Sequence, residues 1–198
     1  MKSLFRLVAA FALLTACLGD AHGAPSEWRI DRVHSSIYFD VKHTFATVRG
    51  QFDDFSVSLI IDEENKAASR CDIEVDVKSV NTNNRQRDNH LRSADFFSVK
   101  EYPVMAFTTT GIRDLEKDRF EIEGRLTIKD VTKEVIVPFT FLGVKENPLD
   151  PKQVVAGFEA RFSVDRLEYN VGTGKFYKMG VIGKDVDIII TLEAFKQK

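Results

Sequence analysis

Phe120-Glu121-Ile122-Glu123-Gly124-Arg125-Leu126-Thr127-Ile128 is the stretch that decides the fold. Phe120, Ile122, Leu126 and Ile128 share one parity, and Glu121, Glu123, Arg125 and Thr127 share the other, with Gly124 holding the apolar phase. A period of two puts one set on a buried face of a sheet and the other in water. Parallel strands covered by helices read instead as unbroken apolar runs, so this segment predicts an antiparallel strand with one wet face.

The same pattern recurs outward from it. It returns in Ile37, Phe39 and Val41, in Phe55, Val57, Leu59 and Ile61, and in Ile73, Val75 and Val77. It continues in Val135, Val137, Phe139 and Phe141, in Val154, Ala156, Phe158, Ala160 and Phe162, and in Val186, Ile188, Ile190, Leu192 and Ala194. Polar turn clusters separate the runs, among them Asp53-Asp54, Lys129-Asp130 and Asn147-Pro148-Leu149-Asp150-Pro151. Tyr102-Pro103 reads as the start of a further strand. Many strands with short connections predict an all-β fold: a closed antiparallel barrel of about eight strands, since closure removes exposed sheet edges. Two segments break the alternation. Residues 81–93 are polar and Arg-rich, with a short helix expected over 84–92. Residues 165–174 are irregular and end on Gly172 and Gly174.

The length of 198 residues suits one domain. A net charge of -2, with the two signs mixed along the chain, gives a nucleic-acid partner no electrostatic support. No internal stretch is long and apolar enough for a membrane helix. The amino terminus has the order of a secretory signal: basic Lys2 and Arg6, an apolar run from Leu7 to Leu14, then small residues. Two cleavage points compete. Residues 1–23 form the signal peptide if cleavage follows Ala21-His22-Gly23. Residues 1–16 form it if Leu14-Thr15-Ala16-Cys17 is a lipobox and Cys17 is lipidated. The single barrel domain is expected over residues 24–198. Either route leads out of the cytoplasm, to the periplasm or to a lipid anchor on the outer membrane. Cys71 then has no partner within the chain, and its expected role is that of a small buried apolar residue. Zinc-ligand spacing is absent.

About eight strands enclose a space that side chains fill or that holds one small ligand. Alternation alone does not decide between the two, and the sixteen Phe residues are equally consistent with a packed core. Four stretches go further. Trp28-Arg29-Ile30-Asp31 leads into His34-Ser35-Ser36-Ile37 and Phe39-Asp40-Val41-Lys42-His43; Gly50-Gln51-Phe52-Asp53-Asp54-Phe55 follows. Ser79-Val80-Asn81-Thr82 runs into Arg87-Asp88-Asn89-His90-Leu91-Arg92-Ser93-Ala94-Asp95-Phe96-Phe97, then Tyr102-Pro103 and Phe107. Gly124-Arg125-Leu126-Thr127-Ile128 precedes Val131-Thr132-Lys133. In this order they closely resemble the YceI-like polyisoprenoid-binding family, over nearly the whole chain from Trp28 to about Phe195. The resemblance implies a lipocalin-like extended barrel with one or two short helices, export to the periplasm, and an isoprenoid or acyl chain in the lumen. Quinones, polyprenyl phosphates and fatty amides all remain open as ligand. It implies no enzymatic reaction and no cofactor beyond the bound lipid. The match weakens around residues 165–184.

The expected lumen residues are Phe39, Val41, Val57, Leu59, Val75, Met105 and Phe107, with Ile122, Phe139, Phe141, Phe158, Phe162, Ile188 and Ile190. Burial of each methylene of a ligand is worth about 0.8 kcal/mol before ordering costs, so affinity would follow chain length. Arg87 and His90 are the head-group candidates, Arg87 as a bidentate partner for a phosphate or quinone oxygen; the competing role is an Arg87–Asp88 pair that ties the helix to the barrel. An enzyme acting on a lipid head group through Arg87, Asp88 and His90 is one alternative, and a structural protein with a filled barrel is another. His34, His43 and His90 lack the local spacing of a metal site, and Ser35 and His34 point to opposite strand faces and so form no nucleophile–base pair. The apolar loop at Phe176 and Tyr177 is a candidate homodimer contact.

Overall fold

The computed structural model describes residues 25–62 and 65–198. The expected signal segment and Cys17 therefore lie outside the described residues. The strands are β1 (Ser26–Ile30), β2 (Ser36–His43), β3 (Ala46–Phe52), β4 (Phe55–Ile61), β5 (Arg70–Asp76) and β6 (Val80–Asn81), followed by β7 (Val104–Asp114), β8 (Arg119–Ile128), β9 (Val131–Asn147), β10 (Asp150–Asp165) and β11 (Ile182–Gln197). Helix α1 (Arg85–Arg92) lies between β6 and β7, and the single turn α2 (Lys175–Lys178) precedes β11.

All pairings are antiparallel within one sheet, as the alternation predicts. Eight strands close a ring in the order β1, β4, β5, β7, β8, β9, β10, β11 and back to β1. Closure depends on β1, which pairs with β4 through Trp28↔Leu59 and with β11 through Arg29↔Phe195. The first half of β11 pairs instead with β2, which carries β3 and the short β6 as an extension of the wall. Helix α1 covers this extension. Arg92 donates from Nη2 to the Val80 carbonyl at 2.6 Å and from Nε to the Lys78 carbonyl at 2.7 Å, and the Phe97 ring meets Phe52 at 6.1 Å.

The expected helix starts where its cap dictates. Asn84 is extended, and its side chain accepts from Arg87 N at 3.0 Å, satisfying an orphan donor of the first turn. One strand ends earlier than its apolar parity suggests. Val77 lies in a 3-10 turn because the Asp76 carboxylate accepts from Lys78 N at 2.9 Å and pulls the chain out of the sheet. β3 and β7, which the alternation alone left unmarked, complete the wall.

Gly124 has a structural reason. The Phe107 ring lies across it, and an added methyl would meet that ring and stand 2.8 Å from the Thr108 carbonyl oxygen. Gly50, opposite Phe39 in the β2–β3 pair, receives the Phe39 ring in the same way. The two glycines let two rings lie flat along the wall.

Candidate functional site

The inward faces of the strands enclose a cavity of about 240 Å³ whose wall is almost wholly apolar. Antiparallel pairing brings together residues far apart in sequence: Ile188 lies opposite Phe39, Ile190 opposite Ile37, and Val75 opposite Met105. Of the expected lumen residues, Phe39, Val41, Val75, Met105, Phe107 and Ile122 are on the wall, as are Phe139, Phe158, Phe162, Ile188 and Ile190. Phe139 and Phe158 stack at 5.4 Å.

Val57, Leu59 and Phe141 are not on the wall. Leu59 is packed where β1 closes the ring, between Trp28 and Cys71 across its two neighbouring strands, and Val57 lies on the same strand. Phe141 sits against the Phe158 ring at 5.5 Å and joins the packed core. The parity of these residues is right; their height along the barrel places them in solid core. Cys71 is buried as expected, and burial pushes its thiol up to about 12, so it is an inert part of the wall.

One end of the cavity is polar. Thr82, Arg87 and His90 reach it from α1 and the turn before it. The competing role, a direct pairing of Arg87 with Asp88, is replaced by a shared partner. Buried Asp88 accepts from Thr82 N at 2.9 Å and from Thr82 Oγ1 at 2.5 Å. Arg87 donates from Nε to Thr82 Oγ1 at 2.7 Å and from Nη2 to the Thr82 carbonyl at 2.8 Å. Thr82 thus holds both charges apart and aims them differently. His90 pairs with Asp95 at 3.1 Å and rests edge-on against Phe96 at 5.0 Å.

Arg166 is the main polar residue that sequence reasoning missed. It lies in the irregular segment after β10, is only 6% exposed, and lines the cavity. Its guanidinium donates to three carbonyls: Nε to Gly183 at 2.8 Å, Nη1 to Val171 at 2.7 Å and Nη2 to Ile182 at 3.5 Å. No carboxylate is paired with it among the described residues; neighbouring Asp165 is bound to Lys184 at 2.7 Å. Burial lowers its pKa from the ordinary arginine value, with the Asp165 charge opposing this. A guanidinium has five N–H groups, so two remain beyond these three bonds. Gly172, at φ +87°, lets the chain pass between Arg166 Nη1 and the Phe96 ring. Phe96 therefore adjoins both His90 and Arg166, which brings these polar side chains to one end of the cavity. No period marks Arg166, because a 3-10 turn and not a strand presents it.

Among the other wall residues missed by the list of expected ones, two groups stand out. Ile37, Ile73, Leu126, Val137, Val186 and Leu192 already carry the inward parity. Leu91, Phe96, Phe97 and Val171 come from irregular or helical segments where parity is silent.

His34, His43 and His90 are not brought together. His43 and His90 reach the cavity, whereas His34 forms an exposed surface cluster with Asp31 and Glu193. His34 Nδ1 lies 2.7 Å from Asp31 Oδ2 and 4.0 Å from a Glu193 carboxylate oxygen. The hydrogen bond to Asp31 and its charge hold the His34 pKa above the usual value. His34 and Ser35 precede β2 and belong to no strand, and Ser35 is engaged elsewhere, exchanging hydrogen bonds with the Glu193 backbone.

Known proteins share this architecture and sequence. The YceI from Escherichia coli O157:H7 is 34% identical over 200 aligned positions, covering 100% of this chain and 99% of that protein. The crystal structure of BcnA from Burkholderia cenocepacia superposes with a TM-score of 0.74 at 24% identity, covering 83% of this chain and 99% of the other. A polyisoprenoid-binding domain from Saccharophagus degradans, implicated in plant cell wall breakdown, has the same fold with a TM-score of 0.61 at 15% identity, over 86% and 98% of the two chains. The YceI-like domain model matches residues 28–194, nearly the whole barrel. The chain belongs to the YceI-like domain family.

Proposed function

We propose that the protein binds a polyisoprenoid or other long-chain amphiphile, with the chain in the barrel cavity and the head group at the α1 end, and that it carries or stores this lipid in the periplasm. The observation that carries the reading is the distribution of polarity along the cavity. A wall of Phe, Ile and Val has no means of orienting a polar solute, and it offers a hydrocarbon chain contact on every side. At about 0.8 kcal/mol per buried methylene, each isoprene unit adds several-fold to affinity even after ordering costs. Arg87, His90 and Arg166 favour an oxygen-rich or anionic head, such as a phosphate or quinone, over an amine.

Binding without catalysis fits these side chains. Arg87 is committed to Thr82, and His90 to Asp95. The domain from Saccharophagus degradans that binds polyisoprenoid supports the ligand class by fold.

Native mass spectrometry of protein purified from its own host is the test. The expected result is a co-purified prenyl or acyl amphiphile. A delipidated protein that takes up no polyprenyl phosphate, quinone or fatty amide from micelles overturns the reading. The mass of the mature amino terminus distinguishes a soluble periplasmic form from one anchored through Cys17.

A further inference from the structure

A lipid carrier must exchange its cargo with a membrane, and the surface around the α1 end of the cavity has the chemistry for that. Phe45 is 98% exposed, at the tip of the β2–β3 turn. Met179 is 61% and Tyr177 45% exposed, both at the α2 turn. The two turns are tied together: Thr44 N donates to the Val181 carbonyl at 2.9 Å, and Ile182 pairs with His43. His43 and Ile182 are themselves wall residues, so the three exposed apolar side chains stand on the rim where the cavity reaches the surface.

The charge of the α2 segment has one sign. From Lys175 to Lys184 the sequence contains Lys175, Lys178 and Lys184 and no acid. The acids of the preceding segment are already matched: Asp165 with Lys184 at 2.7 Å, and Glu168 with Lys133 at 2.6 Å. Asp185 is also held by Lys184, at 3.3 Å. Lys175 and Lys178 have no ion-pair partner among the described residues. Leu149, equally exposed at the opposite end of β10, sits instead between Asp150 and the Glu146 strand end.

We propose that this rim, Phe45, Tyr177 and Met179 flanked by Lys175 and Lys178, docks the protein on a bilayer containing anionic phospholipid and so opens the cavity toward the membrane. The proposal rests on the carrier reading and adds the surface through which cargo passes. The apolar side chains enter the interfacial layer, and the ammonium groups meet the lipid phosphates. Because the attraction is partly coulombic, docking weakens as salt shortens the screening length.

The test is flotation of the full chain, carrying Cys17→Ser so that no lipid anchor contributes, with two kinds of vesicle. One is phosphatidylethanolamine with phosphatidylglycerol, and the other is phosphatidylcholine alone. The chain is expected to float with the anionic vesicles, less so at high salt, and not with the neutral ones. Phe45→Ser/Met179→Ser and Lys175→Gln/Lys178→Gln should each reduce the bound fraction about tenfold, with the thermal midpoint unchanged. Failure of the parent chain to float, or flotation of both double variants like the parent, overturns the proposal. So does sedimentation showing that the Phe45→Ser/Met179→Ser change instead dissociates a dimer. A chain that floats but never holds lipid defeats the carrier reading and leaves docking standing; one that holds lipid but never floats does the reverse.

Discussion

Arg166 concentrates the energetic tension of the molecule in one side chain. A cation this deeply placed is tolerated only where its donors find acceptors, and the Val171 carbonyl between β10 and β11 and the Ile182 and Gly183 carbonyls at the start of β11 supply them. Arg166→Met keeps the apolar stem but strands those carbonyls, that of Val171 outside any strand. The expected loss is about 1–3 kcal/mol in urea unfolding, with weaker retention of any anionic amphiphile; an unchanged midpoint would assign those carbonyls to other partners. The sequence hid this residue for a physical reason. Parity reports which side of a strand a side chain is on, and Arg166 stands in a 3-10 turn outside that regime. Arg87 and His90 were legible because they lie in the family-like stretch. The shared Thr82 partner was not, since a residue five positions away meets Arg87 only once α1 has turned.

At the scale of elements, the ring-over-glycine pairs are the most discriminating feature. Gly124→Ala pushes a methyl against both the Phe107 ring and a backbone carbonyl that cannot withdraw. It should cost about 1–3 kcal/mol, as overpacking does in a well-filled wall. At Gly50 the three atoms nearest the added methyl all belong to the Phe39 ring, a side chain on the cavity wall and not a backbone group. Gly50→Ala should therefore cost less than about 1 kcal/mol but reduce lipid uptake, because the displaced ring occupies ligand space. Thermal unfolding of the two variants, with lipid content measured alongside, tests the contrast; equal destabilisation would mean that Phe39 is as tightly confined as Phe107. Strand positions were largely readable from alternation, whereas β3 was hard to see because its inward set, Ala46, Val48, Gly50 and Phe52, is half made of small residues, although Thr47, Arg49 and Gln51 keep the polar parity. Its place in the wall comes from pairing with β2.

At the scale of the whole molecule, the barrel has a solid end and a hollow one. Ala160 is buried on the cavity wall beside Phe158 and Phe162 on the same strand. Ala160→Phe fills cavity volume without displacing packed core, so the protein should remain folded and lose most of its co-purified lipid by native mass spectrometry. Full lipid retention would place the chain elsewhere.

Surface ion pairs set the acid limit of the same shell. The hydrogen bond from Arg49, helped by its charge, holds Asp40 below the usual carboxylate value against the opposing effect of burial. For Asp165, burial pushes upward, but the Lys184 ammonium and the Leu167 N–H outweigh it. A carboxylate whose folded pKa is depressed stabilises the fold above its unfolded value, near 3.8 for both groups, and loses that contribution as pH falls through the lower folded value. His34 has the opposite sign: its contribution is complete below its usual value of 6.5 and fades as pH rises through the raised folded one. The thermal midpoint should thus fall steeply only below about pH 3.8, and Asp40→Asn should make that acid limb shallower. A limb unaltered by this change would show that the Asp40–Arg49 pair adds no net stability.

The sequence by itself determined the antiparallel all-β class, the inward faces of most strands, the short helix and the family, because period-two patterning and local caps are written in neighbouring residues. Only the tertiary structure decided where along the barrel the core is solid and where it is hollow, that Thr82 joins Arg87 to Asp88, and that Arg166 lines the cavity. Those outcomes depend on the height at which distant strands pair and on how β1 closes the ring, and register between residues more than a hundred positions apart leaves no local trace in the chain.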